Sequence, residues 1–332
     1  LALDEATIAA EMARRAPGQN ALSTARKESD TVEIQSGFFN GFTTGTPLCA
    51  RIVNSDQHSK DYSILADKMR PGHADYAGHV RYQGFNDYRG GGHFSGRLTA
   101  PLVFAGAVAK QALAQYGIVV GSHILQINDI KEERFNPMGV SDKVLAELHA
   151  KKFAVMDDAV GEKMQERILQ AKSELNSVGG VIEAVALCLP AGIGAPYFDS
   201  VESMLSHALF SVPAVKGVEF GDGFGFAGLT GAEANDALHY VDGNVQALTN
   251  HNGGVTGGIT NGMPLVVRVA IKPTPSIARE QQTVSLKEQA DTTLAIVGRH
   301  DPCIVQRAVP VIEAVVAWTL WDLLLEAKKW EK

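Results

Sequence analysis

Two short runs hold the residue types best suited to chemistry: Arg70-Pro71-Gly72-His73-Ala74-Asp75 and Gly298-Arg299-His300-Asp301-Pro302-Cys303. Each gathers a guanidinium, an imidazole and a carboxylate in a turn stiffened by proline. Arginine grips phosphate or carboxylate through a fixed fork, and histidine titrates near neutrality. Such a run suits holding an anionic substrate while a proton moves. Either run alone is weak. The two together, with glycine-rich segments between them, point to one anion-handling site.

The first glycine-rich segment is Gly90-Gly91-Gly92-His93-Phe94-Ser95-Gly96-Arg97, directly before an apolar stretch. Glycine lets backbone amides approach a ligand, and a following helix start favours an anion. The segment is no dinucleotide fingerprint, because the preceding strand and the distant acidic residue are missing. A tight turn before a helix is the bland alternative. Gly253-Gly254-Val255-Thr256-Gly257-Gly258-Ile259-Thr260-Asn261-Gly262 is similarly permissive and leads toward Lys272-Pro273-Thr274-Pro275-Ser276, where an amine and two hydroxyls suit phosphate. It reads equally as a loop joining strands.

Other residues carry less. A lone histidine such as His58, His79 or His123 is more often a surface or satisfied core residue than a catalyst. Asp75 serves as well in a turn as behind a catalytic group, and Arg14 and Arg15 beside Pro17-Gly18 suit a solvated helix end. No paired-cysteine or two-histidine spacing fits a metal, and no serine nucleophile elbow is present.

These residues need elements to hold them. Leu1 to Arg15 reads as the body of a structural element with Asp4 or Thr7 as cap, so the start looks truncated. Thr31 to Ile34 and Leu48 to Val53 read as strands around a turn from Gly37 to Pro47. The stretch from Ala100 to Tyr116 is apolar nearly all round and predicts a buried helix, with Thr99 as N-cap and Pro101 in its first turn. A strand follows over 117–127, then one or two amphipathic helices between Ser141 and Leu175. Val181 to Leu189 and Leu265 to Ile271 are β-branched strands. Val305, Val309, Ile312, Val316, Leu320 and Leu323 predict a long C-terminal helix with Pro310 in an early turn. Helices and strands mix without strict alternation, so the fold class is α+β.

Composition bounds the rest. The 332 residues are 45% hydrophobic and 20% charged, with mean hydropathy near zero, as in an ordinary globular protein. No linker composition divides them, which favours one unit. The net charge of −7 argues against nucleic acid or an anionic membrane as the main partner. Cys49, Cys188 and Cys303 are odd in number and widely spaced, as expected of free thiols in a reducing cytosol. No apolar run reads as membrane-spanning, and no charged leader opens the chain.

The chain resembles chorismate synthase along nearly its whole length. The resemblance rests on Arg14-Arg15 with Pro17-Gly18, Ser36-Gly37, Thr43-Thr44-Gly45-Thr46-Pro47, Arg70 through Asp75, and Asp87-Tyr88-Arg89-Gly90-Gly91-Gly92. It continues through Gly221-Asp222-Gly223-Phe224, Gly257 through Gly262, Lys272-Pro273-Thr274 and Gly298 through Cys303. It implies a single domain over 1–332 with a β-α-β sandwich, helices enclosed by sheets, and a cytoplasmic homotetramer. It implies reduced FMN as cofactor, with reductant supplied from outside, from NADPH. The implied reaction is an anti 1,4-elimination of phosphate from 5-enolpyruvylshikimate 3-phosphate to give chorismate, with no net redox.

By family position, Arg15, Arg26, Arg70, Arg97 and Arg299 hold the substrate's anionic groups. His73 stands beside the phosphate, and Asp301 near the flavin passes on the proton lost from the substrate. The flavin contacts so implied are His93, Phe94, Ser95, Asn235, Gly258, Lys272, Pro273, Thr274, Pro275, Ser276 and Arg299. Three departures stand out. The family's N-terminal segment, with a second catalytic histidine, is absent; His93-Phe94-Ser95 replaces the usual Arg-Ser-Ser; and Ala21 stands where many relatives have arginine. Two rival readings stay open: a flavoenzyme with net redox chemistry, and a non-catalytic flavin-binding relative.

Overall fold

Asp4 starts the first helix, its carboxylate accepting from the amides of Ala6 and Thr7, and α1 runs over Glu5–Arg15. A computed structural model describes the chain apart from residues 19, 21, 25–27, 55–63, 297–299 and 330–332. After α1 come β1 (Val32–Ser36), the tight hairpin β2 (Phe38–Phe39) and β3 (Phe42–Thr43), and β4 (Cys49–Ile52). Strand β4 returns antiparallel on β1, as the sequence predicts; the small hairpin inside the Gly37–Pro47 turn was not foreseen. Next are α2 (Asp75–Arg81), two short 3₁₀ turns over residues 89–98, and α3 (Thr99–Ala114). Leu98, without a side-chain cap, precedes α3, so Thr99 is its first residue and not its N-cap. The Thr99 hydroxyl instead donates to the Gly96 carbonyl at 2.6 Å and accepts from Arg15 Nε at 3.0 Å.

Strands β5 (Val119–Ile127) and β6 (Ile130–Lys131) precede two helices, α4 (Asp142–Ala150) and α5 (Asp158–Ser173), capped by Ser141 and Asp157. The second half follows as β7 (Gly180–Leu187), α6 (Val201–Ser211), β8 (Val215–Phe220), the short α7 (Gly231–Ala234), and the hairpin β9 (Leu238–Val241) and β10 (Asn244–Ala247). It ends with β11 (Val255–Thr256), β12 (Ile259–Thr260), β13 (Leu265–Ile271), β14 (Gln281–Ser285), β15 (Ala290–Leu294) and α8 (Val305–Lys328).

The core is an antiparallel sheet ordered β6-β5-β7-β13-β8. Side chains alternate across a strand. In β5, Ser122 turns to α8, bonding Glu313 at 2.9 Å, whereas Gly121 faces Leu145 of α4. Helix α8 therefore covers one face, with α3, α6 and α1 packed on it, and α4 covers the other. Most buried apolar side chains of the described residues join one continuous cluster across these layers. The mixed helices and antiparallel strands make the fold α+β.

Helix α8 is long and apolar enough to cross a membrane by composition, which corrects the sequence expectation that no such run exists. Its most apolar window is 72% buried inside the protein, so it is the core helix that α3, α6 and the sheet enclose.

Two charged clusters lie inside this scaffold. Between α1, α3 and α8, Arg14 bonds Glu313 at 2.7 and 3.0 Å and Glu11 at 3.0 Å, and Lys110 bonds Glu313 at 2.6 Å and Glu11 at 2.8 Å. Arg14 is thus an internal cross-brace rather than a solvated helix end. On the other face, fully buried His123 has both ring nitrogens on carboxylates, those of Glu132 and Glu183. Carboxylates only accept, so the ring carries both protons as an imidazolium. Burial works against that charge, but the two carboxylates outweigh it and raise the His123 pKa.

Candidate active site

One cavity of about 560 Å³ collects residues from several parts of the chain, Thr24 and Glu28 of the segment between α1 and β1 among them. Its walls are the end of α1, the turn before α2, the glycine-rich turn before α3, the α6–β8 connection, the segment after β13 and the start of α8.

The turn at 70–75 is built around Asp75. Arg70 clamps it in bidentate fashion, Nε to Oδ2 at 2.7 Å and Nη2 to Oδ1 at 2.8 Å, and the Arg70 amide adds a bond at 3.0 Å. His73 Nδ1 lies 2.6 Å from Asp75 Oδ1. A carboxylate cannot donate, so Nδ1 carries the proton of that bond. Its Nε2 is then free to act in the cavity, as an acceptor when the ring is neutral and a donor when it is charged. Burial raises the carboxyl pKa of Asp75, but the Arg70 and His73 hydrogen bonds overcome this and hold it well below the usual carboxylate range. Helix α2 begins at this carboxylate, and its dipole favours the same charge.

Across the cavity, Arg15 is only 3% exposed and pairs with Asp30 while its Nη2 donates to the Gly96 carbonyl at 3.3 Å. Asp301 is held at both oxygens: Oδ1 accepts from the Thr24 amide at 2.7 Å and Oδ2 from Arg307 Nη1 at 2.6 Å. Arg307 Nε donates to the Arg15 carbonyl at 3.0 Å, which ties the start of α8 to the end of α1. Arg97 Nη2 reaches Glu28 at 2.8 Å.

The glycine-rich turn closes a third side. Gly91 and Gly92 adopt φ of +83° and +51°, which side chains rarely tolerate. Phe94, one of the departures from the family pattern, seats on α2. A Cβ at Gly78 would come within 2.6 Å of its ring, and the Tyr82 ring lies 6.4 Å away. Opposite, Ser276 accepts from Arg70 Nη1 at 3.3 Å, Lys272 bonds the Gly72 carbonyl, and the Thr274 hydroxyl is buried without a partner.

The cavity therefore brings together Arg15, Arg70, His73, His93, Phe94, Ser95, Arg97, Lys272, Thr274, Pro275, Ser276 and Asp301, together with His300. It does not include Pro273, Asn235 or Gly258. Asn235 is an exposed residue at the end of α7, and Gly258 sits in the β11–β12 turn, its carbonyl accepting from Val201 at the start of α6. Arg26, Arg299 and Ala21 lie outside the described residues, as does His58. Arg307 and Lys216 also line the cavity and were missed. Arg307, six residues beyond Asp301 at the start of a predicted helix, carried a readable signal; Lys216, alone in a β-branched strand, did not.

The family model described as chorismate synthase matches residues 1–325. A chorismate synthase of Thermococcus gammatolerans is 48% identical over 322 residues, covering 97% of this chain and 88% of that protein. The corresponding protein of Pyrococcus abyssi is 46% identical over 321 residues, again 97% and 88%, and that of Dehalococcoides mccartyi 44% over 327 residues, 98% and 89%. A crystal structure of chorismate synthase superposes with a TM-score of 0.76 at 29% identity, covering 98% of this chain and 84% of that one. Sequence over almost the full length and fold agree with the motifs around the cavity, and the chain belongs to the chorismate synthase family.

Proposed function

We infer that the chain is a phosphate lyase that carries out the family's reaction, the anti 1,4-elimination of phosphate from 5-enolpyruvylshikimate 3-phosphate to chorismate, in the cavity around His73. Within a family match spanning residues 1–325, the observation that carries this reading is that Arg70 and His73, both held by Asp75, line one cavity with Asp301. The substrate bears two carboxylates and a phosphate, and a site lined with arginine and lysine offsets the cost of removing them from water.

Asp75 holds His73 by Nδ1, so a charged ring presents Nε2–H to the departing phosphate and stabilises the charge that grows there. Asp301 keeps lone pairs beyond those used by Thr24 and Arg307, and helps pass on the proton lost from the substrate. Arg15, Arg70 and Arg97 shape the anionic pocket, and Arg26 and Arg299 join them by family position.

Reduced FMN suits the remaining wall. Its phosphate matches an amine and a buried hydroxyl without a partner, at Lys272 and Thr274. His93, Phe94, Ser95, Pro275 and Ser276 would flank it, and Asn235, Gly258 and Pro273 are assigned by family position alone. When bound, the cofactor supplies electron density and recovers it, with reductant from NADPH outside the chain.

One domain working as a cytoplasmic homotetramer completes the reading. The three free thiols among the described residues support the compartment, and the exposed Leu238, Tyr240 and Phe224 support assembly. Anaerobic incubation with substrate and reduced FMN is expected to yield chorismate and phosphate in equal amounts. Absence of both would overturn the assignment.

A further inference from the structure

A cavity that takes anions gains nothing from a carboxylate on its wall. Among the described residues, Glu28 and Asp301 are the carboxylates that line it, against Arg15, Arg70, Arg97, Arg307, Lys216 and Lys272. Asp30 and Asp75 hold Arg15 and Arg70 without lining the cavity themselves. Asp301 is fixed at both oxygens and has its part in the proposed reaction. That reaction leaves Glu28 without one. Yet Glu28 faces a site whose substrate carries two carboxylates and a phosphate, and like charges held close in a partly desolvated pocket repel.

The partner of Glu28 is the guanidinium least committed to the scaffold. Arg15 bonds Thr99, Asp30 and the Gly96 carbonyl. Arg70 makes two bonds to Asp75, with Ser276 and His73 beside them. Arg307 holds both Asp301 and the Arg15 carbonyl. Arg97 is the most exposed of the four, its side chain at 27%. Among the described residues that side chain bonds Glu28 alone, Nη2 donating to the carboxylate at 2.8 Å. The backbone beneath it is one short 3₁₀ turn, Gly96–Leu98, capped by the Ser95 hydroxyl.

Glu28 is far less exposed than its partner, its side chain at 5%. Its charge also acts on a second guanidinium. Burial lowers the Arg15 pKa, and the charges that oppose this are Asp30 and then Glu28. A Glu28 that loses Arg97 therefore still has a cation within electrostatic reach, and the cost of parting the pair is small.

We propose that Glu28 is a placeholder carboxylate, which holds Arg97 until an anionic group of the substrate takes that guanidinium over. The proposal rests on the functional reading above for the identity of the substrate. One charge pair is exchanged for another. A ligand with several anionic contacts displaces Glu28, whereas a small anion with a single contact gains too little to do so. A repulsive charge of this kind discriminates between ligands as an attractive one does.

The test compares the intact protein with Glu28→Gln and Glu28→Asp, using malonate as an anionic probe independent of the reaction. Glutamine keeps an oxygen that accepts from Arg97 but removes the charge, and aspartate keeps the charge. If Glu28→Gln does not fold, Glu28→Ala removes the charge in its place and carries the same expectations. Partly exposed ion pairs are worth up to about fivefold in an equilibrium. The charge-free variant is therefore expected to lower the KM for 5-enolpyruvylshikimate 3-phosphate and the dissociation constant of malonate, each by about three- to fivefold, with a much smaller change in kcat. Glu28→Asp is expected to stay close to the parent in both.

A merely structural Glu28 gives the opposite sign, because its loss leaves Arg97 unplaced and raises KM. An unchanged or raised value of either constant in the charge-free variant overturns the proposal. So does a Glu28→Asp variant that binds as tightly as the charge-free one. A parent protein that turns over no substrate contradicts the functional reading instead, and the malonate titration then still decides the role of Glu28.

Discussion

The behaviour of His73 depends on what Asp75 does to it. With Nδ1 engaged at 2.6 Å, only Nε2 is available to a ligand, so the ring works through one atom. In the proposed reaction, removing it takes away an interaction that strengthens as the carbon–oxygen bond breaks. His73→Ala is expected to lower kcat by at least about a hundredfold while FMN affinity stays within a few-fold. Near-normal kcat with a raised KM would make the histidine a simple binding group. Asp75 is held deprotonated by Arg70 and His73 against the effect of its burial, so it stabilises the fold above about pH 4, its unfolded range, and loses that contribution as pH falls through its lower folded value. Asp75→Asn leaves Arg70 without its carboxylate and is expected to cost about 3–5 kcal/mol near neutrality. Denaturant titrations across the acid range should then show less acid destabilisation in the variant than in the parent. Both arginine–histidine–aspartate runs were readable from residue type and spacing. The way Asp75 orders the first run, and the clamp of Arg307 on Asp301, were not, because those bonds exist only once distant turns meet.

At the scale of elements, apolar pattern was the reliable guide. The helix predicted from Ala100 to Tyr116 and the strand from Leu265 to Ile271 match α3 and β13 to within two residues, because an unbroken apolar run leaves one continuous signal. Helix α6 and strand β8 gave no comparable signal, and the hairpin of β2 and β3 is too short to show a period. The cavity wall around Lys216 was hidden for the same reason. Close helix packing was also invisible. A Cβ on Gly106 of α3 would lie 2.2 Å from Ala314 Cβ and 2.3 Å from its Cα on α8, so the backbones touch at this glycine. Gly106→Val must push apart the two helices at the centre of the core. It is expected to lower stability by about 1–3 kcal/mol or more, read as a shift in denaturant midpoint. An unchanged midpoint would show that α3 and α8 separate freely there.

The whole molecule is a helix layer pinned between a sheet and the segments that carry the cavity, with Arg14, Lys110, Glu11 and Glu313 cross-bracing α1, α3 and α8. Because α8 crosses the core and its first-turn Arg307 holds the Asp301 carboxylate, core packing positions that carboxylate in the cavity. Large apolar side chains remain exposed on β9, β10 and the turn at Phe224, which is costly for an isolated chain. Light scattering at micromolar concentration is expected to give the mass of a homotetramer, and a stable monomer would contradict that assembly. The most direct test of the elimination is made without oxygen, following chorismate formation and the flavin spectrum together over many turnovers. The expected result is that product needs reduced FMN yet leaves it reduced; flavin oxidised in step with product would replace the elimination by net redox chemistry.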